Sequence, residues 1–388
     1  TGQSDSTAAI QRAVNDARDH WLVCFFPEGT YLISDQISCE QQVRKLDRPR
    51  YTDGRTQHYW DLSHRIVVFG SGKGRRPVIR LSDDAKGFDD PNKPKVAIWI
   101  WAQTRHDAPG REEPNWGEEQ PNISFSHVFK GIDIDIRGHA GAIGLRHSGS
   151  QGSTMLDCTV HADGAFSGFS NCCWQGGGTY NVETIGGRYG ITIESNSRFP
   201  ILTGCRFTGQ TAASVGYHTS TQVPTVLVGC ELKPASAVAV DMTTQRSYAG
   251  INMVDCLIEV HPGGAIAGTR KPENIHIEAS YVRGAASVVP GGRRLPSGLT
   301  LVDHYSATTD RGVNLINGKQ STGEITRWRG VSKTPSFQPL RERHYRQVPC
   351  FDEKGVVNVK DFGAVGDGQV DDTEAFKQAI AAGDKVFV

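Results

Sequence analysis

Polar side chains with catalytic potential recur at matching places in the middle of the chain, just after short alternating stretches. The segments that carry them read GLRHSGS, GFSNCCW, TIESNSR, GYHTSTQ and VDMTTQR. If each stretch is a strand and the strands stack in parallel, these side chains share one outward surface. The residues are Arg146, His147, Glu194, Arg198, His218, Asp241, Gln245 and Arg246.

Two carboxyl groups on this surface have a spacing that suits bond hydrolysis. Glu194 and Asp241 lie two strands apart, and parallel strands are about 4.8 Å apart, so we expect roughly 10 Å between them. Inverting glycosidases separate their two carboxyl groups by about 6.5 to 9.5 Å, which leaves room for a water. One carboxyl would need a raised pKa to act as the acid. We predict Glu194 and Asp241 as catalytic, with His218 between them orienting water or substrate.

The cationic residues of the same surface suggest a second chemistry. Elimination next to a uronate carboxylate needs a base and a cation that neutralises the carboxylate, and Arg146, His147, His218 and Arg246 could supply both. The predicted substrate-binding residues are Arg146, His147, Arg198, Gln245 and Arg246, with Trp116 as a stacking platform. Trp99, Trp101 and Trp174 are further candidates for a sugar platform, or ordinary core residues. The simplest alternative is that the charged residues pair across strands and only keep the surface soluble.

Neither metal nor cofactor is expected. Asp133 and Asp135 alternate with Ile132, Ile134 and Ile136, which is typical of a solvated strand face, with a calcium site as the alternative. The glycine-rich GSGKG lacks the spacing of a phosphate-binding loop, so a nucleotide cofactor is not expected. The chain has 42 basic and 42 acidic residues among 388. This balance favours neither a nucleic acid nor a membrane surface as partner, and no apolar run reaches the roughly 18 residues of a membrane span.

A repeat of about 25 residues organises the middle of the chain, a period typical of a solenoid. Each repeat combines a glycine with short alternating stretches such as GITIES or AVAVDM, which predict strands. Cys158, Cys205, Cys230 and Cys256 recur at one position, and their spacing fits no zinc site. Small residues stacking inside a parallel β-helix explain the pattern. The aligned triplets start at Gly131, Asp157, Asn181, Gly204, Gly229, Asp255 and Glu278.

The chain also begins and ends with similar sequence, DSTAAIQRAV near the start and DDTEAFKQAI near the end. Ile10, Ala13, Val14 and Ala17 predict one apolar helix face that caps an open end of the β-helix. Phe376, Ala379 and Ile380 repeat that face, and Asp371 with Glu374 suggests a capping box. We therefore expect a first β-helix domain over 1–292 that lacks its leading strand. An irregular linker over 293–354 and the beginning of a second, truncated β-helix over 355–388 follow, and the natural polypeptide is expected to extend beyond both ends.

The segments VNVKDFGAVGDGQVDDTEAFKQAI and FFPEGTYLIS resemble the opening motifs of the pectate-lyase-like β-helix superfamily. Two such openings, with GGRYG and later GQTAAS between them, resemble glycoside hydrolase family 55, the tandem β-helix exo-β-1,3-glucanases. Ser197 and Arg198 stand where that family has paired glutamines. The resemblance implies an all-β fold, a right-handed parallel β-helix with a capping helix. It also implies a catalytic acid in the second helix, beyond the end of this chain.

Three functions follow as hypotheses. The first is an inverting, exo-acting glycoside hydrolase on a β-1,3-glucan, with its site in a cleft between this β-helix and a second one from the rest of the chain. The second is a polysaccharide lyase acting on a polyuronate. The third is a non-catalytic, phage-type receptor-binding β-helix. The resemblance implies a polysaccharide or oligosaccharide partner and a secreted protein, extracellular or periplasmic.

Overall fold

The computed structural model describes most of the chain, and all structural statements below concern that part. The described residues are 2–41, 44–46, 59–61, 65–71, 74–102, 119, 124–174, 176–194, 200–218, 224–243, 250–269, 275–307, 314–321, 323–346 and 355–388.

Short parallel strands stack in three columns, which form three faces of one β-helix. Face A contains Cys24–Phe26, Val67–Gly70, Val128–Lys130, the first parts of Thr154–His161 and Gly178–Ile185, Ile201–Thr203, Thr225–Val228, Ile251–Val254 and the start of Ile275–Ser287. Face B contains Thr30–Ile33, Val78–Leu81, Asp133–Asp135, the second parts of Thr154–His161 and Gly178–Ile185, Arg206–Thr208, Glu231–Lys233, the start of Leu257–Gly268 and the middle of Ile275–Ser287.

Face C completes each coil before the chain returns to face A. It contains Ile37–Gln41, Lys95–Ala102, Ala142–His147, Ser167–Ser170, Tyr189–Ile193, Ala213–Tyr217, Val238–Asp241 and the end of Leu257–Gly268. Every strand in these columns pairs in parallel with the strand one coil away. The predicted parallel β-helix is confirmed.

The inside of the β-helix is a continuous apolar core of side chains from all three faces. Cys158, Cys205, Cys230 and Cys256 are fully buried there, and no disulfide joins the described cysteines. Burial raises the pKa of the Cys158 thiol to about 12. The predicted stack of small interior residues is therefore confirmed, since a neutral, inaccessible thiol packs as a small apolar group.

The corner between faces A and B has a left-handed backbone residue in seven successive coils. The residues with positive φ at this corner are Gly131, Asp157, Asn181, Gly204, Gly229, Asp255 and Ala279. This column matches the predicted series of triplets except at its end. There the sequence aligned Glu278 with Asp255, but Ala279 has the positive φ and Leu257 pairs with Tyr281. The last triplet is therefore displaced by one residue.

A helix covers the N-terminal end of the coil. Helix α1 (Thr7–Asp19) buries Ile10, Val14 and Ala17, as the apolar spacing predicts, whereas Ala13 is exposed. At its start Asp5 accepts hydrogen bonds from the Thr7 amide (2.9 Å) and hydroxyl. These bonds, with one from Ser34, lower the pKa of Asp5 to about 2. The helix thus begins on an aspartate that stays ionised.

The second copy of this opening repeats the same local contact. Asp371 accepts from the amide of Thr373 at 3.0 Å, as Asp5 does from Thr7. Helix α2 of this unit (Thr373–Ala382) follows a short 3₁₀ helix (Val359–Phe362), and Val356–Asn358 pairs in parallel with Lys385–Phe387. The predicted capping box does not form, because Glu374 pairs with Lys377 instead.

The apolar face predicted for this second helix is only partly correct. Ala379 is buried and Phe376 half-buried, but Ile380 is 65% exposed and Ala375 is buried in its place. The buried stripe is therefore narrower than in α1.

The stretch predicted to be an irregular linker contains regular elements in its described part. Leu299–Ala307 pairs antiparallel with Ile275–Ser287, and Glu324–Gly330 pairs antiparallel with Leu299–Ala307. These two closing strands use the hydrogen-bonding edge that the last coil would otherwise expose. Two short antiparallel pairs lie elsewhere, Arg44–Leu46 with Tyr59–Asp61 and Asn314–Ile316 with Lys319–Ser321.

A short helix, Phe337–Glu342, and the residues after it pack along the A–B corner. Tyr345 donates to Asp157 at 2.8 Å, Arg341 donates to Asn181 at 2.9 Å, and His344 contacts Asp255 at 2.8 Å. We call residues 337–345 the corner strap. The polar side chains of the left-handed residues hold it in place.

The turn from face C back to face A buries two imidazole rings. His127 and His147 are fully buried, with ring centroids 6.5 Å apart. The Nδ1 of His127 accepts from the amide of Ile66, and that of His147 accepts from the amide of Gly149. Burial lowers the pKa of each ring to about 3, so both are neutral at pH 7.

The corner strap should depend on glycine at the corner. A Cβ on Gly229 would lie 2.9 Å from His344 Cδ2 and 3.1 Å from the carbonyl oxygen of Leu340. We expect Gly229→Ala to lose more stability than the roughly 1–2 kcal/mol that a left-handed alanine costs by itself, and to expose residues 337–345 to hydrogen exchange. Gly298→Ala is the matched control, since Gly298 also has positive φ but open space around it. Equal losses in urea unfolding, with unchanged exchange in the strap, would contradict this account.

The buried imidazoles should make the fold sensitive to acid. Unfolding frees each ring to bind a proton at its ordinary pKa near 6.5. Stability is therefore retained above about pH 6.5 and falls as the pH drops toward 3, by about 1.4 kcal/mol per pH unit for each histidine. His147→Asn keeps an acceptor for Gly149 and should remove one histidine's share of this slope. His20→Asn, at an exposed position, should leave the slope unchanged in urea unfolding measured from pH 7 to 4.

Candidate functional site

The outward side of face C brings together polar residues from successive coils. Strand pairing places Trp99, Arg146, Ser170 and Thr192 in one row across the face. Gly216 and Asp241 continue the row on the next two coils. Because inward and outward side chains alternate along a strand, Leu145, Ile191 and Val215 of the same strands fill the core while this row faces out.

Arg146 is the centre of a buried ion cluster on this face. Its Nε and Nη2 donate to the two carboxylate oxygens of Glu119 at 2.9 and 2.7 Å. Its Nη1 donates to Glu194 at 3.0 Å and to Ser170 at 2.8 Å. The Arg146 side chain is 2% exposed, and those of Glu119 and Glu194 are 4% and 5% exposed. One guanidinium therefore bridges two carboxyl groups away from water.

The charge of Arg146 is secure in this environment. Burial alone would lower the pKa of the guanidinium, but the charges and hydrogen bonds of Glu119 and Glu194 outweigh it and raise the pKa. Glu194 also accepts from the hydroxyl of Thr192 at 2.6 Å, and its amide donates to Asn171. A cation and a hydroxyl thus hold the Glu194 carboxylate in place.

Next to this cluster, aromatic and basic groups pack around His218. The ring of Tyr189 meets the His218 ring edge-on at 4.6 Å, and Phe166 does so at 5.4 Å. The Arg188 guanidinium lies 5.4 Å from the centre of the Tyr189 ring. His218 is half-buried, and burial lowers the pKa of its imidazole, although Glu194 and Asp241 partly oppose this. His218 is thus a neutral proton acceptor near pH 7.

Tyr189 and Asp241 complete this group. The Tyr189 hydroxyl donates to Asp241 Oδ2 at 3.5 Å, the limit of a hydrogen bond, while Asp241 Oδ1 accepts from the amide and hydroxyl of Thr243. Burial raises the pKa of Tyr189, so its hydroxyl stays protonated. The group therefore offers a proton acceptor, a proton donor and a cation within one patch.

Glu194 and Asp241 are not in register, although the expected separation of roughly 10 Å assumed that they are. Asp241 is in register with Gly216 and hence with Thr192, whereas Glu194 lies two residues further along its strand. With about 3.3 Å per residue and 4.8 Å between strands, their backbones are roughly 12 Å apart, beyond the simple two-strand spacing. It is His218 that is level with Glu194, since its amide donates to the carbonyl of Ile193.

The structure brings four of the predicted residues together on face C: Arg146, Glu194, His218 and Asp241. His147 is not among them, because it follows the outward Arg146 and so points into the core, where it is fully buried. Arg198, Gln245, Arg246 and Trp116 lie outside the described residues. Ser197, noted in the family resemblance, also lies outside them.

The tryptophan candidates belong to the packing of the protein. Trp99 and Trp101 stack at 4.7 Å and are 2% and 1% exposed, and Trp174 is 6% exposed. None of these three can offer its ring face to a sugar in this structure. The alternative calcium site is also disfavoured, because Arg76 pairs with Asp133 at 3.1 Å and Arg137 pairs with Asp135.

Three residues of the site were not selected from the sequence. Glu119 lies in a proline-rich, charged segment predicted to be a loop, where nothing marks it as a partner of Arg146. Arg188 and Tyr189 belong to GGRYG, which was noted only as part of a family resemblance. The sequence signal that could have identified Arg188 and Tyr189 is their place one repeat before His218.

Comparison with known proteins gives one partial family match. Residues 1–88 match the family model described as rhamnogalacturonase A/epimerase, pectate lyase-like. No curated protein matches the chain. The finer resemblance to glycoside hydrolase family 55 stays a prediction.

Several solved structures are similar at low identity. ORF18 of Geobacillus virus E2 has 11% identity and a TM-score of 0.36, over 86% of this chain and 77% of that one. The A-module of the mannuronan C-5 epimerase AlgE6 of Azotobacter vinelandii has 13% identity and a TM-score of 0.36, over 76% and 93%. The Streptococcus pneumoniae surface protein and adhesin PfbA has 13% identity and a TM-score of 0.34, over 69% and 64%. Similarities this distant carry no argument about activity. The family match thus concerns residues 1–88, and the strand pairing shows that the described coils form a parallel β-helix.

Proposed function

We propose that the outward surface of face C binds an acidic polysaccharide and removes the proton next to a uronate carboxylate, as in β-elimination. The observation that carries this proposal is the packing of His218 against Tyr189, with Arg188 beside the same ring. It combines a base, an acid and a cation on neighbouring coils. The proposal favours the lyase hypothesis over the hydrolase hypothesis.

Each group has a defined part in the proposed reaction. Arg188 pairs with the uronate carboxylate and stabilises the negative charge that develops when the neighbouring C5–H bond breaks. Neutral His218 accepts that proton, and its lowered pKa keeps the imidazole in the neutral form that this role needs. The Tyr189 hydroxyl protonates the leaving glycosidic oxygen as the C4–O bond breaks, and a C4=C5 double bond forms. Asp241, at the same hydroxyl, then holds Tyr189 in position.

The buried ion cluster has a positioning role in this proposal. Glu194 is level with His218 on the neighbouring strand. Arg146, on an earlier coil, donates a hydrogen bond to Glu194 and so fixes the position of its carboxyl group. Taking one partner from a buried ion pair leaves an uncompensated charge, which commonly costs about 3–5 kcal/mol. The cluster therefore keeps the strand end that presents His218 in register with Glu194.

An inverting exo-acting hydrolase of a β-1,3-glucan is the second candidate. It is favoured by the two carboxyl groups of Glu194 and Asp241, which lie on the coils before and after His218. In this hypothesis the substrate binds in a cleft between this β-helix and a second one from the same polypeptide. It is less well supported, because Arg146 and the hydroxyl of Thr192 already occupy the Glu194 carboxylate, and Asp241 is not in register with Glu194. A non-catalytic receptor-binding role and secretion of the protein remain further proposals.

Replacing the base should stop elimination without unfolding the protein. We expect His218→Gln to reduce formation of unsaturated product from polyuronates by about 10²–10⁴-fold, the usual contribution of a general base. Tyr189→Phe should reduce formation of the unsaturated product by a factor within the same range. The measurement is the ultraviolet absorbance of the unsaturated sugar, with reducing ends assayed in parallel on polyuronates and on laminarin.

Matched controls separate the candidates. His261→Gln changes an exposed histidine away from face C and Tyr281→Phe changes a tyrosine of face B, so both should keep full activity. Release of glucose from laminarin without unsaturated product would replace the lyase with the hydrolase. Binding of a polysaccharide with no product of either kind would establish the non-catalytic role.

A further inference from the structure

A group of possible metal ligands lies on face A, at the end of the β-helix and away from the candidate site. It consists of His276, Glu278 and His304, whose donor atoms all lie within 4.8 Å of one another. We propose that these three side chains bind a divalent transition metal ion, with zinc as the best match. This site would join the last coil to the first closing strand.

Strand pairing explains why the three side chains converge. His276 and Glu278 are two residues apart, so both face outward while Ile275 and Ile277 are buried in the core. Glu278 lies directly opposite His304 in the antiparallel pair. The two imidazole rings meet diagonally, with centroids 5.1 Å apart and an interplanar angle of 71°. The site therefore rests on rigid backbone.

The distances suit a small metal ion. His276 Nε2 and Glu278 Oε2 are 3.3 Å apart. With metal–ligand bonds of about 2.0–2.2 Å, two ligands of a tetrahedral zinc ion are separated by about 3.3–3.5 Å. Two imidazoles and one carboxylate form a borderline donor set that suits zinc, nickel or copper better than calcium or magnesium. A fourth position stays open for water.

The surroundings also allow binding. His276 is 33% and Glu278 55% exposed, so an ion can reach the ligands from solvent. Arg327 on the second closing strand is opposite His304 and is the charge that opposes a cation there. Asn252 flanks His276 on the preceding coil and adds no charge.

A β-bulge helps to aim one ligand. The pairing of the two closing strands shifts between Val302 and His304, and Asp303 in that shift pairs with Arg329 at 3.6 Å. Bulges redirect side chains next to functional sites. Of the three proposed ligands, His304 alone lies on the closing strand, and the bulge is next to it.

The consequence of binding is mechanical. An ion held by both strands binds the folded chain and not the unfolded one, so it adds stability according to its concentration relative to Kd. It would act where the parallel coils end and antiparallel pairing begins. The closing strand would then separate from the last coil less often when metal is bound.

The test is a titration of the chelator-treated 388-residue chain with Zn²⁺ by calorimetry, repeated with Co²⁺ by visible absorption. We expect one ion per chain, a Co²⁺ spectrum without a thiolate charge-transfer band, and a Tm that rises with metal concentration. Even an outer partner of a metal ligand contributes about 10- to 100-fold to affinity. His304→Ala and Glu278→Gln should therefore each weaken binding by at least about tenfold.

The control is His20→Ala. His20 and Asp16 form an exposed histidine–carboxylate pair at 3.2 Å, and no third ligand joins them among the described residues. This variant should bind metal like the original chain. If His304→Ala fails to fold, Glu278→Gln alone decides, since its melting in chelator should match that of the original chain. Metal binding that is unchanged in Glu278→Gln, or lost equally in His20→Ala, would overturn the proposal.

Discussion

The corner between faces A and B constrains the rest of the molecule. At that corner seven successive coils turn through a left-handed residue. This conformation is sterically costly for residues other than glycine. Asp157, Asn181 and Asp255 nevertheless occupy this conformation, and each uses its side chain for a contact with the corner strap or with a neighbouring corner. The repeated turn returns the chain to the same register in these coils, and this register stacks the core and aligns the outward surface.

Face C shows how a fixed register creates a candidate site. Residues far apart in sequence, such as Trp99, Arg146 and Thr192, lie in one row because their strands pair without a shift. Arg146 can then pair with Glu119 and Glu194 simultaneously in a buried position. A buried charge tolerates little displacement, because losing one partner leaves the others unpaired. The ion cluster and the strand register therefore stabilise one another.

Much of this architecture was predictable because the solenoid repeats one simple pattern. Gly131, Asp157 and Cys158 identify the corner and the interior position, and their spacing gives the coil length. The displaced last triplet, at Ala279, falls where antiparallel strands begin to replace parallel coils, so the repeat is no longer regular there. His147 was assigned outward beside Arg146, although strand alternation allows only one of two neighbours to face out.

The candidate site was less predictable, because its key contacts are not local in sequence. Glu119 reaches Arg146 from a segment without strand periodicity, and nothing in its neighbourhood distinguishes it from the acidic residues beside it. Tyr189 becomes relevant only through its packing against His218 on the next coil. Repeat spacing predicts which residues align on one face, but it does not predict which of their side chains contact one another.

The corner strap has a consequence for how this protein can change in length. Repetitive folds commonly gain or lose whole repeats, because each repeat contacts only its neighbours. Here Tyr345 binds the coil of Asp157, Arg341 that of Asn181 and His344 that of Asp255. A single segment thus contacts several coils, and its own length sets how far apart those coils can be. Duplication or deletion of a coil between Asp157 and Asp255 would separate the strap from its contacts, so evolution can vary the coil number freely only outside that interval.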